Sequence, residues 1–355
     1  MRKTNNRIPI RLFSDTRNIL MGFATVLVLL YHVYIRMDVI SPDKWVITRS
    51  WQALTLLLYG SVDIFLFLSG MSLFYSFSKD SSLKSFYKKR AVRILPPYFI
   101  VASLWYIFTY QGITVGEYLK NLFFFNFILD GDLVFWFMAL LIVLYAVYPL
   151  IHVLLTRYRG WGAVGLIIGS FLLSLAVYLL SPKLFENISP ALSRMPSFLL
   201  GVMAGSLCQQ GRPMPRGALP ASVFLAGGIF LLTFAGAFDR MNPVIYFYTG
   251  ALFNFSIMLQ LALLLRRRQD GFIARLLTWL GGYSLECYLI CERIYTLFEY
   301  AVDDGDPFGI LYAVFVVLLT LILAKILQSV CKDFSAVLLH PAAREIQETP
   351  SGFKN

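Results

Sequence analysis

The sequence contains few charged residues: aspartate, glutamate, lysine and arginine together make up 14% of its 355 residues. Soluble globular domains contain about 25% of these residues, so the shortage excludes an ordinary soluble domain. The chain also has only three histidines and four cysteines. None of the cysteines has the spacing to a histidine that a zinc site needs. We therefore expect neither a metal site nor a disulfide framework.

Apolar residues, in contrast, make up 58% of the chain, and the mean hydropathy is +0.68. Apolar runs of about 20 residues, long enough to cross the hydrocarbon layer of a bilayer, recur from one end to the other. The sequence thus predicts an all-α, polytopic membrane bundle of about ten transmembrane helices. We place them at 18–37, 52–77, 95–111, 133–154, 162–181, 191–208, 218–237, 243–265, 275–298 and 308–330.

The net charge of +11 follows the predicted membrane topology. Lysines and arginines concentrate in alternate connecting segments, such as 79–93 and 266–275, whereas the segment 303–306 is acidic. Because positive charge collects on the cytoplasmic side, both termini are predicted to be cytoplasmic and no nucleic-acid partner is needed. The predicted domains are a cytoplasmic arm at 1–17, a transmembrane domain at 18–331 and a cytoplasmic tail at 332–355.

Three ionisable residues in the apolar runs are candidate functional groups: His32 in the first, Asp63 in the second and Glu286 in the ninth. Ionisable groups are costly in lipid and usually face a functional cavity. A rise of about 1.5 Å per residue places His32 and Asp63 within about one helical turn in depth. Asp63 or Glu286 could therefore supply a carboxylate that orients the His32 imidazole.

These residues also have structural interpretations. His32 and Asp63 could make hydrogen bonds between helices, and Ser69 with Gly70 could be a close-packing pair. Lys88, Lys89, Arg90 and Arg93 could serve only as a topology signal that binds anionic lipid.

Five segments, in order, resemble the motifs of the membrane-bound acyltransferase family 3, which modifies surface glycans and other envelope molecules. They are the first span ending at His32, VDIFLFLSG at 62–70, KKRAVRILPPY at 88–98, WFMALLIVLYAVYPL at 136–150 and LGGYSLECYLICE at 280–292. The likeness covers most of the chain. It matches His32 to the family's histidine, and Arg90 and Arg93 to its two arginines.

The chain departs from the family pattern at two positions. Met21 stands where the family has an arginine, with Arg17 one helical turn earlier, and Cys291 stands where the family has a histidine in the late helix. Arg17 could replace the missing arginine, or its role could be lost.

The resemblance implies an O-acyltransferase with an acyl-CoA, expected to be acetyl-CoA, as co-substrate and no permanently bound cofactor. His32 would be the general base, and Arg90 and Arg93 would bind the phosphates of the donor. The acceptor, a saccharide or lipid-linked glycan, would contact Trp136, Tyr288, Glu292 and Arg293. We expect a bacterial cytoplasmic membrane location, contact with membrane lipid and a homodimer. The alternatives are a small-molecule transporter or a non-catalytic component of an envelope-assembly system.

Overall fold

The computed structural model describes residues 9–40, 57–58, 60–215, 217–237, 241–266, 269–298 and 309–339. In these ranges the chain forms fourteen helices and no strand, which confirms the all-α prediction. The helices are α1 Leu12–Asp15, α2 Arg17–Ile40, α3 Ser61–Lys79, α4 Leu83–Thr109, α5 Val115–Leu122, α6 Phe125–Asp130, α7 Trp136–Leu180, α8 Pro182–Leu192, α9 Met195–Gln209, α10 Ala218–Phe234, α11 Pro243–Leu265, α12 Phe272–Gly281, α13 Ser284–Phe298 and α14 Gly309–Leu339.

By length and composition, six helical segments in the described ranges can cross a membrane. They are Ser61–Lys79, Leu83–Thr109, Trp136–Leu180, Pro182–Gln209, Pro243–Leu265 and Leu311–Asp333, and shorter apolar helices lie at Arg17–Val33, Ala218–Thr233 and Phe272–Gly281. A multi-pass membrane protein follows from these helices. The count of about ten spans and the cytoplasmic position of the termini stay predictions.

Helix α7 is interrupted at Arg159, where φ is 49° and the backbone is not helical. A Cβ added to Gly162 would lie 2.4 Å from the carbonyl oxygen of Leu154. Eight residues of a continuous helix would separate these positions by about 12 Å, so the chain turns back on itself here. The two arms of α7 coincide with the runs predicted at 133–154 and 162–181.

Some boundaries differ from those expected. The predicted span 275–298 is divided into α12 and α13 by Gly282 and Tyr283, and α14 continues to Leu339. Near the N-terminus, Leu12 and Phe13 are buried, and the Phe13 ring lies edge-on to Phe67 at 5.0 Å. The segment just before α2 therefore packs into the bundle, because its apolar side chains fit between α3 and α11.

Two close helix contacts fix the positions of the helices around the site. A Cβ on Gly22 would lie 1.7 Å from the backbone oxygen of Leu277, and one on Gly281 would lie 2.3 Å from that of Asn18. A Cβ on Gly201 of α9 would likewise lie 2.0 Å from the backbone oxygen of Phe67 in α3. Only glycine permits such approaches, so these residues press α12 onto α2 and α9 onto α3.

Candidate functional site

A cavity of about 470 Å³ lies between α2, α3, α4, α7 and the α12–α13 pair. Its lining combines three arginines, several hydroxyl groups and an apolar remainder. The lining residues are Arg17, Asn18, Met21, Phe65, Ser69, Ser72, Arg90, Arg93, Ile94, Phe137, Leu141, Tyr145, Thr278, Gly281, Gly282, Ser284, Leu285 and Tyr288. We call it the arginine cavity.

Helix α3 presents Ser69, Ser72 and Ser76 in a row at spacings of three and four residues, which places them on one helix face. Ser72 accepts a 2.9 Å hydrogen bond from Nε of Arg17, and Ser76 accepts a 2.8 Å bond from Nη2 of Arg90. Ser69 and the hydroxyl of Tyr145 on α7 lie 2.8 Å apart. The serine row thus orients two arginines and one tyrosine.

The third arginine, Arg93, forms a 3.1 Å ion pair with Glu286 of α13. Glu286 is fully buried, whereas the Arg93 side chain remains 48% exposed. Arg17 and Arg90 have no carboxylate among their described contacts. Three guanidinium groups around one cavity repel each other, and an anion bound among them would relieve that repulsion. The cavity therefore suits a ligand with several negative charges.

The neighbouring lysine of the basic stretch has a different environment. Lys89 donates a 3.0 Å hydrogen bond to Asp80, which follows the end of α3. Hydrogen bonds from Ser85 and Lys89 hold the pKa of Asp80 at about 2, below its ordinary value. The aspartate is therefore ionised and pairs with Lys89 outside the cavity, while Arg90 and Arg93 line it.

Tyr288 and Phe137 lie at the other end of the cavity from Arg17. Gly281, the last residue of α12, packs against Asn18 beside Arg17, whereas Tyr288 lies in the second turn of the next helix, α13. The rings of Tyr288 and Phe137 meet edge-on at 4.9 Å, and the hydroxyl of Tyr288 accepts a 3.3 Å hydrogen bond from the backbone N–H of Phe137. The cavity therefore extends from an arginine end to a tyrosine end.

His32 is buried, with 9% of its surface exposed, and its ring lies edge-on to Tyr31 at 5.4 Å. Residues that line the cavity from α2 include Asn18 and Met21. His32 follows Met21 by eleven residues, which is about three turns, so the two share a helix face. His32 does not line the cavity itself. It lies on the same face of α2, beyond the level where the cavity residues end.

Asp63 belongs to a different cluster from the one expected. Its carboxylate accepts hydrogen bonds from Ser197 at 2.7 Å and Asn254 at 3.2 Å, and lies 3.7 Å from Nε of Arg194. All four residues are buried. We expected Asp63 to pair with His32 because the two lie at similar depth. Instead, both oxygens of the Asp63 carboxylate bind residues that join α3 to α9 and α11.

The ion pair between Asp63 and Arg194 gives a stability prediction. D63A removes a carboxylate that pairs with the buried Arg194 guanidinium, so we expect the free energy of unfolding to fall by about 3 kcal/mol. S197A, which removes a neutral hydrogen bond, is the matched control and is expected to cost about 1 kcal/mol. Thermal unfolding in detergent measures both.

A double replacement tests the cause of this loss. D63L/R194M removes both charges and is expected to recover most of the stability lost in D63A. A double variant as unstable as D63A would contradict the assignment of the loss to the broken ion pair.

Glu286 also has a partner other than the one considered. Its Oε1 atom binds Arg93, 193 residues away in the chain. Glu286 is therefore paired with an arginine of the cavity, and not with His32 as we expected. Depth alone did not indicate this, because it does not give the direction in which a side chain leaves its helix.

The residues expected to contact an acceptor lie at or beside the segment 134–137, with different degrees of burial. Tyr288 lines the arginine cavity, and Trp136 is half-buried as the first residue of α7. Arg293 donates to the carbonyl of Val134 and pairs with Glu292, and its guanidinium lies 4.8 Å from the Phe135 ring centre. Arg293 is 6% exposed. It holds the segment before α7 in place, so its charge is already used inside the protein.

The two departures from the family pattern are placed differently. Arg17 and Met21 both line the cavity, one turn apart, so Arg17 brings a guanidinium to the site where Met21 does not. Cys291 is fully buried in a separate apolar cluster that joins α13 to α14. The position that matches the family's histidine thus holds a packing residue in this chain.

Ser72, Ser76 and Tyr145 of this site were not expected from the sequence, and Ser69 was expected to be a packing residue. The sequence does indicate a polar helix face, because serines 69, 72 and 76 lie on one side of an otherwise apolar helix. It does not indicate the partners of these serines, because those partners lie on three other helices.

Fold and site together define a multi-pass membrane protein with a cavity lined by three arginines. Residues 18–328 match the model of a protein family described as an acyltransferase domain (Acyl_transf_3), and the chain belongs to this family. The match confirms the resemblance to the membrane-bound acyltransferase family 3. Comparison with curated proteins and with solved structures gives no match.

Proposed function

We propose that the protein transfers an acetyl group from acetyl-CoA to a hydroxyl of a surface or lipid-linked saccharide in a bacterial cytoplasmic membrane. Family membership supports acyl transfer in general. The main support for acetyl-CoA as the donor is the arginine cavity, which is lined by Arg17, Arg90 and Arg93. The phosphates of coenzyme A match these guanidinium groups in charge and in hydrogen-bonding geometry.

In this proposal the nucleotide end of the donor lies at the arginine end, and its thin arm extends toward Tyr288. Ser69 and Tyr145 line the path. Their mutual hydrogen bond uses one of their two hydroxyl hydrogens, and the second can bind a polar group of the arm. The thioester then lies near the face of α2 that carries His32.

His32 acts as the general base. It takes the proton of the acceptor hydroxyl while the hydroxyl oxygen bonds to the carbonyl carbon of the thioester. The carbon–sulfur bond then breaks, its electron pair leaves on sulfur, and the proton passes to that sulfur. The products are an ester and free coenzyme A. Half-buried Trp136 and Glu292 are candidates for acceptor contact.

The test is release of free thiol from acetyl-CoA by purified protein in vesicles, with candidate saccharide acceptors added. We expect acceptor-dependent release, and transfer of a labelled acetyl group to the saccharide. A transporter or a scaffold protein would release no thiol. Comparing acetyl-CoA with longer acyl-CoA donors tests the acyl length, and disappearance of thiol release when the saccharide is omitted tests the acceptor.

A further inference from the structure

The hydroxyl of Tyr288 has a hydrogen available for a ligand. A tyrosine hydroxyl has one O–H donor and lone pairs that accept. At Tyr288 a lone pair is used, because the oxygen accepts the N–H of Phe137 at 3.3 Å. In the described part of the chain the hydroxyl hydrogen itself has no acceptor. The residue lines the arginine cavity, so this donor is within reach of a bound molecule.

The contacts of Tyr288 also hold the hydroxyl in a fixed place. Its ring packs edge-on against Phe137 at 4.9 Å, and the same residue provides the N–H that binds the oxygen. A hydroxyl that accepts one hydrogen bond becomes a better donor in the next, because hydrogen bonds in a chain polarise each other. Such a preorganised donor stabilises a negative charge that develops during a reaction.

Tyr288 lies close to His32 in depth. Helix α13 packs on α2, and Cys287 of α13 belongs to the same apolar cluster as Leu29 of α2. Tyr288 follows Cys287 directly, and Leu29 is about one helical turn from His32.

From these observations we infer that Tyr288 is a catalytic residue whose hydroxyl donates a hydrogen bond to the carbonyl oxygen of the donor thioester. The inference rests on the proposed function. When the acceptor oxygen attacks the carbonyl carbon, the π electron pair moves to the carbonyl oxygen, and Tyr288 stabilises the resulting charge. When the carbonyl re-forms, the carbon–sulfur bond breaks and coenzyme A leaves. Tyr288 keeps its proton throughout.

The experiment replaces Tyr288 by phenylalanine, which keeps the ring contact with Phe137 and removes only the hydroxyl. For Y288F we expect kcat for thiol release to fall by about 100- to 1,000-fold, as when other oxyanion donors are removed. The KM for acetyl-CoA and the Kd for coenzyme A should stay within about threefold of the wild type, because the arginines are unchanged. The matched control is Y178F, whose ring packs on Phe185 outside the cavity. It should retain wild-type kcat.

The outcomes separate this inference from the proposed function. If wild-type protein releases no thiol from any acyl-CoA with any acceptor, both are overturned. If the wild type is active and Y288F has the wild-type kcat, only the role of Tyr288 is overturned. The same holds if Y288F binds coenzyme A more weakly but keeps the wild-type kcat. Should Y288F not fold, Y288H, which keeps a donor, is expected to be at least tenfold more active than Y288L. Equal activity of these two variants would overturn the assignment.

Discussion

Replacement of His32 by alanine is expected to lower the rate of acetyl transfer by about 1,000-fold, a typical effect of removing a general base. His32 is the one histidine on the α2 face that also carries Asn18 and Met21 of the arginine cavity. The other histidine in the described residues, His152, lies on α7, where it contacts Phe74, Phe77 and Tyr148.

The measurement is the initial rate of thiol release together with transfer of labelled acetyl, each normalised to protein in the membrane. H152A is the matched control and should retain activity. H32A should still bind coenzyme A, because His32 does not line the arginine cavity. A His32 variant with wild-type incorporation would disprove the proposed mechanism. A loss of coenzyme A binding in H32A would instead assign this residue to donor binding.

The second large effect is expected for the double variant R90A/R93A, whose affinity for coenzyme A should fall by at least about 100-fold. Hydrogen bonds to charged groups contribute about 1.5–3 kcal/mol each, so loss of two corresponds to about this change in Kd. Binding of coenzyme A to purified protein is the measurement. The control K88A/K89A removes the same charge from the adjacent exposed positions outside the cavity, and should change the Kd by less than about threefold.

Equal losses in the two double variants would mean that net charge, rather than the cavity, attracts the donor. A Kd for R90A/R93A that equals the wild-type value would overturn the assignment of these arginines to phosphate binding. The ion pair of Arg93 with Glu286 adds a separate check, because E286Q keeps Arg93 but removes the group that orients it. We expect E286Q to weaken binding less than R93A.

Arg17 allows a direct test of the departure from the family pattern. R17M should weaken coenzyme A binding, since it removes one of the three guanidinium groups. M21R in the R17M background restores a guanidinium one helical turn away, at the position where the family has its arginine. We expect this double variant to regain most of the lost affinity. If it does not, Arg17 acts through its hydrogen bond to Ser72, and S72A should then reproduce the effect of R17M.

Membrane class and motif content were predictable from the sequence alone. Composition and apolar run length are properties of the chain itself, and a bilayer forces each apolar run into a helix whose backbone groups bond internally. The break of α7 was also predicted as two separate runs, because polar residues around Arg157 and Arg159 interrupt the apolar pattern. The order of the motifs in the sequence also points to His32, Arg90 and Arg93.

The partners of these residues depended on the tertiary structure. A run of about 20 residues gives the depth of each side chain, but its direction around the helix axis depends on how neighbouring helices pack. For that reason depth suggested Asp63 as a partner for His32, while packing through Gly201 brings α9 against α3 and places Arg194 and Ser197 beside that carboxylate. The direction in which each side chain leaves its helix also determines that Glu286 binds Arg93 and that Tyr288 faces the cavity. Sequence therefore determined what crosses the membrane and which residues carry charge there, and helix packing decided which of them meet.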